Sequence, residues 1–370
     1  MTALGLKIVL QAPTLIAANP PASNLTDTLL MLPGNTIRGL LAQRYLDLGG
    51  DPTTEAFQQL FLTGQVRFGF ARVQGAQPLP LSARSCKYDS GFIKDHGHGM
   101  LDLLLAGPGE KRCSDETCAQ AIDYCHGDWE PTAWRRVPVH TRLITHTAID
   151  PARGTARTAQ LYSQRVLGEG QVFVATIDVP EALRPALERL IHKPYTARLG
   201  RGSSRGQGWA DVCQTTPPAL TWDAAAERFQ QFQQHEGRAV LAVTLLSDGL
   251  LRDAYLRDVT APTPEDLRPL GIEPDEWQPQ PAHAFMDTRM IFGFDGAPLH
   301  LPRQPRLAVA AGSVFLFETK KPGIPPTIPS GTGIGWIGEQ SGEGYGWAAL
   351  WHPFHLTPES PPTAEENAQV

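Results

Sequence analysis

Apolar positions set the rhythm of the first half of the chain. Residues 4–16 form a mixed apolar run (Leu-Lys-Ile-Val-Leu-Gln) with strand character. A loop with two prolines follows at 19–27. Ile37, Leu40, Leu41 and Tyr45 then recur at helical spacing, with Asn35 placed to cap the helix. Residues 51–62 predict a second short helix. Val66, Phe68 and Phe70 alternate as a half-buried strand, and 78–82 begins its partner. Beyond a cysteine-rich stretch, 146–163 reads as two strands around a polar tip, and 171–177 as another strand. Leu183, Ala186, Leu187 and Leu190 mark an amphipathic helix, which leads through a glycine-rich loop into a strand at Trp209. This is the β-α-β-β-α-β order of a ferredoxin-like fold.

The second half repeats the theme with fewer helices. Paired prolines at 215–219 suggest a linker, 222–235 a helix, and 238–247 a strong strand (Val-Leu-Ala-Val-Thr-Leu-Leu). The proline-rich, acidic stretch 258–282 reads as a surface excursion. Strands are expected at 286–294, 306–309 and 313–318. A second glycine loop and the apolar run Ala348-Ala349-Leu350-Trp351 close this half. The expected fold class is α+β, with tandem ferredoxin-like (RRM-like) domains at 1–215 and 216–356, the second degenerate. A cysteine-rich insertion occupies about 83–138 of the first, and the proline- and glutamate-rich residues 357–370 predict a disordered tail.

The two glycine loops share one layout. The first reads Arg198-Leu-Gly-Arg-Gly-Ser-Ser-Arg-Gly-Gln-Gly-Trp209, the second Gly335-Trp-Ile-Gly-Glu-Gln-Ser-Gly-Glu-Gly-Tyr-Gly-Trp347. Glycine leaves no Cβ between backbone amides and a ligand, so successive N–H groups can form an anion-binding concavity. Arg198, Arg201 and Arg205 add planar forks suited to phosphate. Gly200, Gly202, Ser203, Ser204, Gly206 and Gly208 complete this candidate site. The second copy carries Glu339 and Glu343 instead, so it is either a weaker ligand loop or simply a turn.

Composition narrows the function. The 370 residues are 41% hydrophobic, with Gly 35, Pro 33 and a net charge of −6. Real cores are therefore expected, and a generally cationic nucleic-acid coat is excluded; any polyanion must meet a local basic patch. No apolar run has transmembrane length and no signal-peptide pattern opens the chain, so a cytoplasmic protein is expected. Four of five cysteines (Cys86, Cys113, Cys118, Cys125) cluster near His96, His98 and His126. That spacing predicts a structural zinc site made by the four thiolates, with His126 or His96 able to replace Cys125.

Further residues carry candidate chemistry. Arg38, beside Gly39 in the first turn of the first helix, sits where an anion would meet the helix N-terminus. Arg153 and Arg157 make the hairpin tip cationic, which suits either a grip on a nucleic acid or an exposed, solvated loop. His146, in a strand, is more in keeping with a hydrogen-bonded residue than with proton transfer.

Taken together these stretches resemble the RAMP superfamily of CRISPR-associated proteins. Leu32-Pro-Gly-Asn-Thr-Ile-Arg-Gly39 is similar to its first-helix motif, with Asn35 in a serine position, and both loops are similar to its glycine-rich loops. The Cys86-Lys pair, the distal cysteines and Thr147-Ala-Ile-Asp…Leu-Tyr-Ser163 look most like the type III-D, Csx-ten-type subunit of the Cas-five group. The resemblance implies an RNA-binding subunit of a type III-D interference complex, holding the 5′ repeat-derived tag of the crRNA. It would contact a large Cas-ten-type subunit and backbone RAMP subunits, meet target RNA only indirectly, and touch no membrane. Expected RNA contacts are Arg38, Gly39, the 198–208 loop, Arg153 and Arg157, with Tyr162 and Trp209 stacking bases. No catalytic residue is expected. The alternative is a backbone-type subunit that cleaves target RNA through Asp27.

Overall fold

The computed structural model describes residues 1–18, 24–104, 112–115, 117–118, 120–150, 152–154, 156–217, 224–236, 239–293, 303–321 and 326–356. The first half contains β1 (Thr2–Leu10), α1 (Gly34–Asp47), β2 (Arg67–Phe68), β3 (Arg72–Val73), β4 (Thr141–Ile149), β5 (Ala156–Leu167), β6 (Val172–Val179), α2 (Arg184–Ile191), β7 (Tyr195–Arg198) and β8 (Trp209–Thr215). The second contains α3 (Ala225–Glu236), β9 (Val240–Leu245), β10 (His283–Phe285), β11 (Thr288–Ile291), β12 (Arg306–Val309), β13 (Val314–Glu318), β14 (Ile334–Trp336) and β15 (Trp347–Leu350).

Alternation builds the first core. Successive strand residues point to opposite faces, so β1 sends Leu4, Leu6, Ile8 and Leu10 to one side. β6 adds Phe173, Ala175, Ile177 and Val179 beside them, under Ile37, Leu40 and Leu41 of α1 and Leu187, Leu190 and Ile191 of α2. Each large apolar side chain so buried contributes roughly 1.5–3 kcal/mol. The sheet runs β7-β8-β1-β6-β2, with β3 pairing another part of β6. α1 starts at Gly34 after Pro33, with no side-chain cap, so the expected cap at Asn35 is corrected. Gly34 is needed there because an added Cβ would collide with the carbonyl oxygens of Phe68 and Glu343.

The second sheet runs β14-β15-β9-β13-β10, the same order built from corresponding strands. The register repeats as well. Leu10 pairs with Ala210 as Leu245 pairs with Ala348. Ile8 faces Phe173 as Val243 faces Phe315. The bridge Thr14–Leu167 has its counterpart in Gly249–Val309, which makes the β11–β12 hairpin the partner of the long β4–β5 hairpin.

The helical cover is what differs. α3 precedes its sheet and anchors it through Arg228, which donates to the carbonyls of Leu350, Trp351 and Thr332 at 2.7, 2.8 and 2.6 Å. The stretch 258–282 is not a surface excursion. Its 3-10 turn Pro264–Leu270, started by a Thr263–Asp266 capping box, buries Leu267 and Leu270, and Ile272 and Trp277 join the same core.

The cysteine-rich insertion has its own small core of Leu79, Ala83, Phe92, Cys125 and Trp129, into which Phe354 from the C-terminal segment packs. Beside it Asp102 lies 2.5 Å from His355 Nδ1, and His355 Nε2 lies 3.1 Å from Thr244 Oγ1. Among the described residues no helix is long and apolar enough to cross a membrane. The tail at 357–370 lies outside the described residues.

Candidate nucleic-acid interface

The first glycine loop is a braced bend. Leu199 N–H donates to Gly208 O at 2.7 Å, Arg201 N–H to Leu15 O at 3.0 Å, and Gly208 N–H to Pro13 O at 2.9 Å. Arg205 and Gln207 N–H both turn back to Gly202 O, at 2.8 and 3.2 Å. Gly200 and Gly208 have φ of 69° and 78°, and a Cβ at either would strike the carbonyl of Leu15 or Leu199. Five amides of the expected concavity are thus engaged by the protein, three within the loop and two by Leu15 and Pro13, and Gly200 and Gly208 answer to close packing.

Two of the loop's side chains, Arg205 and Gln207, meet the long hairpin. Arg201, Ser204, Arg205 and Gly206 are exposed. Arg205 Nη1 donates to the Tyr162 hydroxyl at 2.6 Å, and Gln207 Nε2 to Gln164 Oε1 at 3.4 Å. Tyr162 and Gln164 share a face of β5, as Arg205 and Gln207 share a side of the loop. The His146 ring lies 5.1 Å from that of Tyr162, at 22° to it. Arg165, one residue past Gln164 and so on the other face of β5, pairs with Asp27 at 3.2 Å, both about half exposed. Arg198 holds its guanidinium 4.4 Å from the Trp209 ring centroid. Arg205, Gln207, Tyr162, Gln164 and His146 thus bring a guanidinium group, amides and aromatic rings together. Arg153 is exposed at the hairpin turn, while the side chains of Arg157 and Ser203 lie outside the described residues.

Arg38 is placed otherwise. Its Nη2 lies 3.0 Å from Glu343 Oε1, which also takes Arg303 at 3.0 Å. Gly39 is exposed, and a Cβ there would meet nothing within 4 Å, so the chain's own packing does not demand it.

The second loop copies the first bond for bond. Ile337 N–H donates to Gly346 O at 2.8 Å, Glu339 N–H to Leu250 O at 2.8 Å, and Gly346 N–H to Asp248 O at 2.7 Å. Arg201 and Arg205 thus correspond to Glu339 and Glu343. Both glutamates are neutralised inside the protein: Arg306 reaches Glu339 at 2.6 Å, and Arg38 and Arg303 reach Glu343. This loop joins the two halves.

Cys86, His98, Cys113 and Cys118 form the candidate metal centre, their ligand atoms all within 4.8 Å of one another. Cys86 and Cys118 sulfurs are 3.7 Å apart, and Cys113 Sγ lies 3.4 Å from His98 Nδ1. Tetrahedral zinc, with Zn–S near 2.3 Å, separates two sulfurs by about 3.7 Å. The set therefore fits a four-ligand metal. His98 Nε2 faces Asp89 at 3.5 Å, a carboxylate that would fix the ring for ligation through Nδ1. The Asp89 amide is the main cause that brings the Cys86 thiol down to about 7, whereas burial pushes Cys113 up to about 11, so Cys86 carries the first negative charge. Cys125 is corrected as a ligand. It is 1% exposed among the insertion's aromatics and accepts from Arg136 Nη2 at 3.0 Å.

The RAMP superfamily model matches residues 7–211. The chain belongs to the RAMP superfamily. No curated protein sequence matches it. It is similar to a chain of the "Type III-B Cmr-beta bound to cognate target RNA and AMPPnP", at 13% identity over 84% of this chain and 86% of that one, with TM-score 0.46. It is also similar to Pyrococcus furiosus Cmr4 (Cas7), at 10% identity over 58% of this chain and 100% of that one, with TM-score 0.28. TM-scores below 0.5 leave the functional reading to this RAMP protein's own residues.

Within the matched span lie Arg38, the first loop and the metal centre; the second loop lies beyond it. The part played by Gln164 and Gln207 in joining the loop to the hairpin of this RAMP protein was not expected from the sequence. The Tyr162-Ser-Gln164 alternation on a strand was the available signal.

Proposed function

We propose that this RAMP protein is an RNA-binding subunit of a type III CRISPR interference complex, gripping the guide RNA by its backbone. The single observation that carries this is the meeting of exposed Arg205 with Tyr162, and of Gln207 with Gln164, on one face of the long hairpin, beside exposed Arg201 in the same loop and inside the family-matched span. Guanidinium forks suit phosphates, and tyrosine and histidine rings suit unstacked bases, a combination that single-stranded RNA requires.

The finer reading is a type III-D, Cas-five-group subunit that caps the complex on the 5′ tag of the crRNA and contacts the large and backbone subunits. Its body is two ferredoxin-like halves, 1–215 and 216–356, a division supported by the repeated strand order. Zinc is the metal proposed for Cys86, His98, Cys113 and Cys118, folding the insertion. The cytoplasm is the proposed location. The proposed role is to hold RNA rather than cut it, with Asp27 half exposed and paired with Arg165.

The test is recovery of the tagged protein from its host, with sequencing of bound small RNA. Guide RNA bearing repeat-derived 5′ ends is expected, and should be lost in an R201E/R205E variant that still assembles. Recovery of the same RNA by that variant would sink the reading. Retained cleavage of target RNA by a D27N complex supports a holding role, and lost cleavage with intact assembly would convert the subunit into a nuclease.

A further inference from the structure

A cavity of about 370 Å³ opens between the two halves, away from the first glycine loop. One wall is the half-exposed face of β6, with Thr176 and Asp178; the end of β8 adds Thr215 and Thr216. The opposite wall is Trp336 and Trp347, a stacked pair with centroids 6.1 Å apart and planes at 25°. The volume falls within the 300–1,000 Å³ typical of small-molecule sites, and such sites favour junctions between domains.

The internal repeat explains the chemistry of this wall. Trp336 pairs with Trp347 across β14 and β15 as Arg198 pairs with Trp209 across β7 and β8. Where the first loop puts a guanidinium over an indole, the second puts another indole. The acids of the second loop are neutralised elsewhere, and Arg72, which lines the cavity, is committed to Asp128 at 2.5 Å. The cavity therefore offers aromatic surface without a free guanidinium from that arginine, which suits a flat, uncharged ring better than phosphate.

Among its polar groups, which include threonine hydroxyls, two acceptors have open capacity. Asp178 uses Oδ2 to accept from Trp336 Nε1 at 2.7 Å, which fixes the indole and leaves the carboxylate's second oxygen for a ligand. Gln77 also lines the space, and its Oε1 is buried with no hydrogen-bond partner among the described residues. A buried acceptor without a donor is costly, and a ligand N–H would relieve it.

We propose that this cavity receives one unstacked nucleobase, seated on the Trp336–Trp347 wall with its N–H-bearing edge toward Asp178 and Gln77. The base comes from a bound RNA strand or from a free nucleoside. The first source rests on the proposed RNA-binding function; the cavity's chemistry does not. β8 connects the two sites, running six residue steps from Trp209 beside the first loop to Thr215 at the cavity, about 20 Å at a strand's rise.

The test is quenching of tryptophan fluorescence by adenosine, guanosine, cytidine and uridine in the full-length protein. Saturable quenching is expected, strongest for bases with an exocyclic amino group and weakest for uridine. T176F, which fills the space, and W347L, which removes a wall, should each weaken binding at least tenfold, while R201E/R205E should leave it unchanged. No saturable quenching in the wild type, or equal affinity in T176F, would overturn the proposal. A parallel titration with a short single-stranded RNA identifies the source. Affinity lowered several-fold by T176F assigns the base to RNA, whereas unchanged RNA affinity with lost nucleoside binding assigns the site to free nucleosides. Loss of RNA binding in R201E/R205E is a separate readout that reports on the first loop alone.

Discussion

Arg38 on the first helix and Glu343 in the second glycine loop meet at 3.0 Å, 305 residues apart in the chain, and this contact ties the N-terminal half to the C-terminal one. Glu343 is the more buried partner and holds a second arginine, Arg303. A carboxylate thus occupies the place by Arg38 where a phosphate was expected.

Removing the acid should therefore harm stability more than removing either base. E343A leaves Arg38 and Arg303 without their shared anion and should cost about 1–3 kcal/mol, against roughly 1 or less for R38A. Urea unfolding of both variants gives the comparison. An R38A variant less stable than E343A would show that Arg38 has another partner in solution.

Salt dependence measures the phosphate contacts made by the first loop. Each phosphate lost from a single strand lowers the slope of log affinity against log salt by about 0.7. R201A/R205A should reduce it by about 1.4, and a slope identical to wild type would mean that these guanidinium groups do not meet phosphate.

Metal analysis discriminates between the two possible fourth ligands. C86S, C118S and H98A should each lose bound zinc, and chelation should loosen the insertion in every metal-loaded form. C125A should keep its metal, since that thiol is packed against Phe92 and Trp129. Zinc lost from C125A and kept by H98A would return the site to four thiolates.

Acid should undock the insertion. Burial pushes the Asp102 carboxyl up, but His355 outweighs it and holds the group below the usual carboxylate range, aided by the Leu104 amide at 3.1 Å. A depressed carboxyl stabilises the fold above its unfolded value, near 4, and that stability is lost as pH falls through the still lower folded value. Trp129 fluorescence, followed from pH 6 downward, should report the loss below about pH 4. D102N should be less stable at neutral pH and should show a smaller acid change. An equal acid transition in D102N would exclude this pair as its cause.

Strand alternation in β1 and β6, helical spacing in α1 and the shared layout of the two glycine loops were all legible along the chain, because each depends on neighbours a few residues apart. So was the grouping of the metal ligands' types. Which cysteine would be left out was not: Cys125 sits one step past the strand Ile122–Tyr124 and turns into an aromatic core, while His98 is brought in from a separate turn. The stretch 258–282 misled for a related reason, since its prolines and acids suggest solvent while four spaced apolar side chains fill a core that the local pattern cannot display. Only the folded chain decided that Arg38 meets Glu343, that Arg205 rests on Tyr162, and that two tryptophans face β6 across a cavity. Local pattern fixes which face a side chain takes; which distant surface that face meets depends on the packing of the whole.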